Sequence, residues 1–168
     1  MEELKKAYVT KLSKMLSIEE TIIKALPTMI AKATNEDLKT GLMDHLEETK
    51  NQRDRLVEIL GTNGGTSLKE SDDAFKLMVD TASKEIATMK DADVRDAVII
   101  AAAQGVEHIE MARYGTLVEW AKELGDTDSQ SLLEETLAEE QAADRILSGV
   151  AEGGIFTTGV NQKAAGLD

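Results

Sequence analysis

Residues 38–60 read LKTGLMDHLEETKNQRDRLVEIL. Leu38, Leu42, Leu56 and Ile59 recur at the three-to-four-residue spacing of one helix face. Between Leu42 and Leu56 that same face carries His45, Glu48, Thr49 and Gln52 instead of apolar side chains. His45 and Glu48 stand three residues apart, so they can converge on a single point beside the helix. The helix opens at Thr34-Asn35-Glu36-Asp37, which resembles a capping box, and stops at Gly61-Thr62-Asn63-Gly64-Gly65. A helix whose inward stripe turns polar at its middle needs partners that answer it, and the rest of the chain supplies three.

Upstream, a first long helix is expected from Glu2 to about Lys32, with Pro27 as a point where it can bend. Its stripe runs through Leu12, Met15, Leu16, Ile22, Ile23, Leu26, Met29 and Ile30. Glu19 falls on that face and Glu20 off it. Downstream, a third long helix starts near Asp93 and ends at Leu124-Gly125, where glycine suits the position just past a helix. Glu107, Glu110 and Tyr114 lie in line there with Ile100, Ala103, Leu117 and Ala121. A fourth opens at Thr127-Asp128-Ser129-Gln130 and ends near Gly153-Gly154. Its series Leu133, Leu137, Glu140, Asp144, Leu147, Ala151 again puts carboxylates among apolar residues. A weaker helical pattern, Ala74 to Met89, sits within the connection from Gly61 to Lys90.

Two pairs of long helices with one long connection between them predict an all-α, ferritin-like four-helix bundle, the crossover holding a short fifth helix between the second and third long ones. The bundle domain is expected over residues 1–152. The tail, 153–168, is glycine-containing and aperiodic, and is expected to be frayed or loosely packed.

An unpaired buried carboxylate costs several kcal/mol, so five or six in one core require compensation. Two divalent cations would supply it. Carboxylates from four facing helices with one or two imidazoles are an oxygen-rich donor set, which favours Fe or Mn over Zn or Cu. The candidate ligands are Glu19, His45, Glu48, Glu107, Glu110 and Glu140. Asp144 is either a ligand or a group that orients one through a hydrogen bond. His108 is expected on the helix flank, Thr49 and Gln52 as neighbours of the ligands.

Composition narrows the partners. The 168-residue chain carries 19 Lys and Arg against 32 Asp and Glu, a net charge of −13. That acidity argues against nucleic acid and against anionic membranes. There is no Cys, hence no disulfide, no thiolate nucleophile and no Cys-based zinc or iron–sulfur site. Five aromatic residues and one Pro disfavour a β-sandwich or barrel. The amphipathic start, MEELKKAYVTKLSKML, lacks the apolar core of a signal peptide, which predicts a cytoplasmic protein.

The same segments carry a family resemblance: Glu19 to Pro27 (EETIIKALP), His45 to Thr49 (HLEET) with Gln52, Arg95-Asp96-Ala97, Val106 to Glu110 (VEHIE), Tyr114 to Leu117 (YGTL), and Leu132 to Leu137 (LLEETL) with Glu139-Glu140 and Asp144. In combination, over about residues 4–151, they resemble the YciE/YciF family of bacterial ferritin-like stress proteins. The resemblance implies a ferritin-like bundle, usually dimeric, with a di-metal site at Glu19, His45, Glu48, Glu107, Glu110 and Glu140. Two features depart from the general pattern. Asn51 and Ala143 stand where the Glu-x-x-His motif has histidine, and Ser17 replaces an aromatic residue two positions before Glu19. The expected function is redox reaction of two Fe or Mn ions with oxygen or peroxide in a stress response, Glu48 and Glu140 bridging. The alternative is a non-catalytic stress or interaction scaffold whose metal is structural or absent.

Overall fold

A computed structural model describes residues 1–66, 69–154 and 157–167. In chain order the elements are α1 (Glu2–Lys32), α2 (Glu36–Thr62), α3 (Asp73–Thr88), α4 (Ala92–Glu123), α5 (Thr127–Glu152), β1 (Gly153–Gly154), β2 (Thr157–Thr158) and α6 (Val160–Ala164). The four long helices and the short crossover helix α3 lie where the periodicity places them. Pro27 is accommodated inside α1.

Side-chain caps set the helix starts. The Asn35 carboxamide oxygen accepts from the Leu38 N–H at 2.9 Å, and Asp72, Asp91 and Asp126 accept in the same way from Phe75, Val94 and Ser129. α4 stops because Gly125 adopts φ +71, after which the Asp126 N–H reaches back to the Ala121 carbonyl and the Gly125 N–H to that of Lys122.

The short links at 33–35 and 124–126 fold α1 against α2 and α4 against α5. Across the bundle, α1 packs on α4 with Thr34 beside Asp96 at one end and Glu19 beside Tyr114 further along, so the two run antiparallel. α2 packs on α5 antiparallel as well, with Gly41 near Ile146, Gln52 at Glu140 and Asn63 at Ser129. α2 and α4 therefore run in the same direction, and the chain must travel the length of the bundle between them. That is why the crossover with α3, which packs on α1 and α4, is needed.

Leu12, Met15 and Ile18 of α1, Leu38, Leu56 and Ile59 of α2, Ile99, Ile100 and Leu117 of α4 and Leu133 of α5 fill the core on both sides of its middle. Each such burial contributes roughly 1.5–3 kcal/mol, which offsets a polar layer between them.

One expectation changes. The segment after α5 is not loose among its described residues. β1 and β2 pair antiparallel, Gly153 opposite Thr158, and α6 then packs on α4 and α5 with Val160 only 2% exposed. Gly153, at φ +76, makes the reversal, and an added Cβ there would meet the Gly159 nitrogen at 2.4 Å. Residues 155–156 and 168 of the expected tail, like 67–68 of the crossover, lie outside the described residues. Among the described residues no helix is long and apolar enough to cross a membrane.

Candidate metal centre

The polar layer is built from one turn near the middle of each long helix. Glu19 from α1, His45 from α2, Glu107 and Glu110 from α4 and Glu140 from α5 are all buried. His45, Glu107, Glu110 and Glu140 each place one donor atom within 4.8 Å of the others. Glu107 and Glu110, three residues apart on α4, present their carboxyl groups on the same face. His45 Nε2 lies 3.3 Å from Glu107 Oε1. Glu19 adjoins the group from the α1 side, where its Oε1 accepts a short hydrogen bond from the Tyr114 hydroxyl. Gln52 donates from Nε2 to Glu140 in another short bond and to Glu139 Oε2 at 3.0 Å.

The inner atoms are left without hydrogen-bond partners among the described residues: Glu19 Oε2, both ring nitrogens of His45, Glu107 Oε2, both oxygens of Glu110 and Glu140 Oε2. Buried polar atoms are normally satisfied, and a concentration of orphans from four helices in one layer is costly. The electrostatics show the same strain. Burial, then the neighbouring Glu140, pushes the Glu19 carboxyl from 4.5 up to about 8, despite the hydrogen bond from Tyr114 that opposes the shift. Glu107 rises to about 11 through burial and the proximity of Glu140 and Asp144. Burial and the facing Glu19 carry Glu110 well above the usual carboxylate range, and burial beside Glu19 raises Tyr114 as well. Without a cation these groups hold protons. The donor set, four carboxylates and one imidazole with free lone pairs turned toward each other, fits a hard or borderline divalent cation.

Two expected residues lie at the margin. The Glu48 side chain is 42% exposed, with Oε2 3.8 Å from His45 Nδ1. Residues 48 and 49 share the inward stripe, and it is Thr49 that turns fully inward, its hydroxyl donating to the His45 carbonyl at 2.7 Å. Asp144 is half-buried between α4 and α5. It accepts from Gln104 Nε2 at 3.3 Å and lies 3.5 Å from Nδ1 of the exposed His108.

Two further polar arrangements escaped the sequence reading. Asp96, buried in the second turn of α4, accepts from the Thr34 N–H at 2.9 Å, the Thr34 hydroxyl at 2.6 Å and the Asn35 N–H at 2.7 Å. It anchors the α1–α2 turn and is satisfied without any cation. Arg55 of α2 clasps Glu139 with both terminal nitrogens, at 2.7 and 2.8 Å, and also bonds Glu135. The signal for that clasp was available: Glu135 and Glu139 stand four apart on one helix face, but the partner helix and its register were not readable from the stripe alone.

Fold and site together define an all-α bundle with a carboxylate-lined core. Residues 3–165 match the family described as a domain of unknown function, DUF892. Protein YciF of Escherichia coli K12 is 34% identical over 165 residues, 98% of this chain and 96% of YciF. The chain belongs to the YciF family. Among solved structures, the E. coli stress protein YciF superposes with a TM-score of 0.81 at 35% identity, covering 88% of this chain and 94% of that one. YcfI of Rhodopseudomonas palustris, provisionally described as a structural protein, gives 0.84 at 40% identity with the same coverage. A Xanthomonas campestris protein shares the fold, with a TM-score of 0.70 at 21% identity over 87% of this chain and 90% of its own.

Proposed function

We propose that the chain is a di-metal carboxylate protein that binds two Fe or Mn ions in its core and serves a stress response through redox reaction with oxygen or peroxide. The observation that carries this reading is the layer of orphaned carboxylate and imidazole atoms contributed by all four long helices. Charge supports the number of ions: Glu19, Glu107, Glu110 and Glu140, ionised, bring −4, which two divalent cations neutralise. Glu140, oriented by Gln52, would be a carboxylate shared by the two ions. Glu19 and Glu107 would each hold one ion, and His45 and Glu110 would complete the set. Glu48 would join from the margin as a second carboxylate shared by the ions, and Asp144, which accepts from Gln104 and lies beside His108, would add negative charge near Glu107. Bound Fe or Mn would supply one-electron chemistry toward oxygen or peroxide. The protein's part is to hold the ions away from bulk water, absorb their charge with carboxylates and keep the Tyr114 hydroxyl fixed beside Glu19. The family resemblance adds a homodimer to this reading.

Aerobic titration with ferrous ion tests it. Oxidation of about two Fe(II) per chain, faster than in buffer and lost in Glu140→Gln, is the expected outcome. Oxidation no faster than in buffer would overturn the redox assignment. The second reading, a scaffold with structural metal, is favoured by the description of the R. palustris relative as structural. It predicts uptake of two ions without accelerated oxidation.

A further inference from the structure

The centre is buried, so an ion must have a way in. Two cavities touch it, and both have His45 and Glu107 in their walls. One, of about 20 Å³, is otherwise closed by apolar side chains such as Ile22, Leu26 and Val106. A cation shedding water there would meet no oxygen to replace it until it reached the ligands. The other, of about 110 Å³, lies between α2 and α5, with Gly41, Asp44, Glu48 and Ile146 in its walls and the buried His45 and Glu107 beneath. Asp44 is exposed and Glu48 is half-exposed, so carboxylates line the path from solvent to the buried donors. Both ring nitrogens of His45 and Oε2 of Glu107 lack partners among the described residues, which makes them ready receivers. Gly41 keeps the passage open: a Cβ built there would already stand 3.4 Å from Ile146 Cγ2, so any larger side chain would fill the gap.

Resting on the metal reading above, we propose that divalent cations enter and leave the centre through this α2–α5 opening. Asp44 and Glu48 draw the ion in and exchange its waters for carboxylate oxygens. His45 and Glu107 receive it, and the missing side chain at Gly41 sets the width of the passage. Glu48 is thereby placed to act first as a carrier at the mouth and then as a ligand from the margin.

An entrance is a kinetic device, which separates it from a ligand. Narrowing it must slow uptake and release by the same factor and leave the equilibrium affinity untouched, whereas losing a ligand changes affinity. The full-length protein carrying Gly41→Leu, a change that helix propensity favours, is to be mixed with manganous ion, and uptake read as loss of the free-ion EPR signal. Release is read by transfer to excess EDTA. Both rates are expected to fall at least tenfold with Kd unchanged, and Ile146→Trp, which adds bulk from the exposed opposite wall, should do the same. Unchanged rates in both variants, or a shifted Kd with unaltered release, would overturn the entrance while leaving the metal centre standing. A wild-type protein that takes up no manganous ion would overturn the metal reading and the entrance together.

Discussion

Glu19 and Glu107 show most directly what the site demands of the fold. Their carboxyls titrate near 8 and 11 in place of 4.5. Between pH 4.5 and those values the folded, metal-free chain holds protons that the unfolded chain has released. The favourable contribution is thus complete below about pH 4.5 and is lost as pH rises, with a slope of about 1.4 kcal/mol per pH unit for each proton held. The metal-free protein should melt lower at pH 8 than at pH 5.5 by about ten degrees or more, and Glu19→Gln should flatten part of that slope. A melting temperature that rises over this interval would contradict the assignment. Bound cations should reverse the trend, since they compete with the same protons. At this scale the residue types were legible in the sequence, but their rotation was not. The stripe admitted Glu48 and Thr49 equally, and only packing decides that Thr49 is buried while Glu48 looks outward.

At the scale of elements, helix starts and stops follow from local chemistry, because Asn35, Asp91, Asp126 and Gly125 act within a few residues of themselves. Contacts between distant segments leave no such local trace. Asp96 looks like one more acidic residue near a helix start, yet its partners Thr34 and Asn35 are about sixty positions away. Removing it leaves two backbone N–H groups of the α1–α2 turn without their acceptor. Asp96→Ala is expected to cost about 3 kcal/mol in denaturant unfolding without altering metal uptake. A loss under about 1 kcal/mol would show that the turn does not depend on this anchor. The C-terminal segment was misread for a related reason. Its glycines and lack of periodicity suggest fraying, but one apolar side chain, Val160, finds a seat against the bundle and holds β1, β2 and α6 in place.

For the whole molecule, the architecture and the centre are one solution. Antiparallel packing of α1 on α4 and of α2 on α5 brings the middle turns of four helices to a common level, and the crossover through α3 is what permits α2 and α4 to run in the same direction. Apolar layers above and below offset a middle layer that would destabilise the bundle if left charged and unpartnered. The net charge of −13 is accordingly divided between a solvated surface and a core group that two divalent ions would neutralise. The measurement that bears most directly on this account is anomalous diffraction at the Fe and Mn edges from crystals of protein purified without added metal. The account predicts two anomalous peaks inside the bundle, bonded to Glu19, His45, Glu107, Glu110 and Glu140. A core without anomalous density, its carboxyls protonated and hydrogen-bonded to one another or to water, would contradict it.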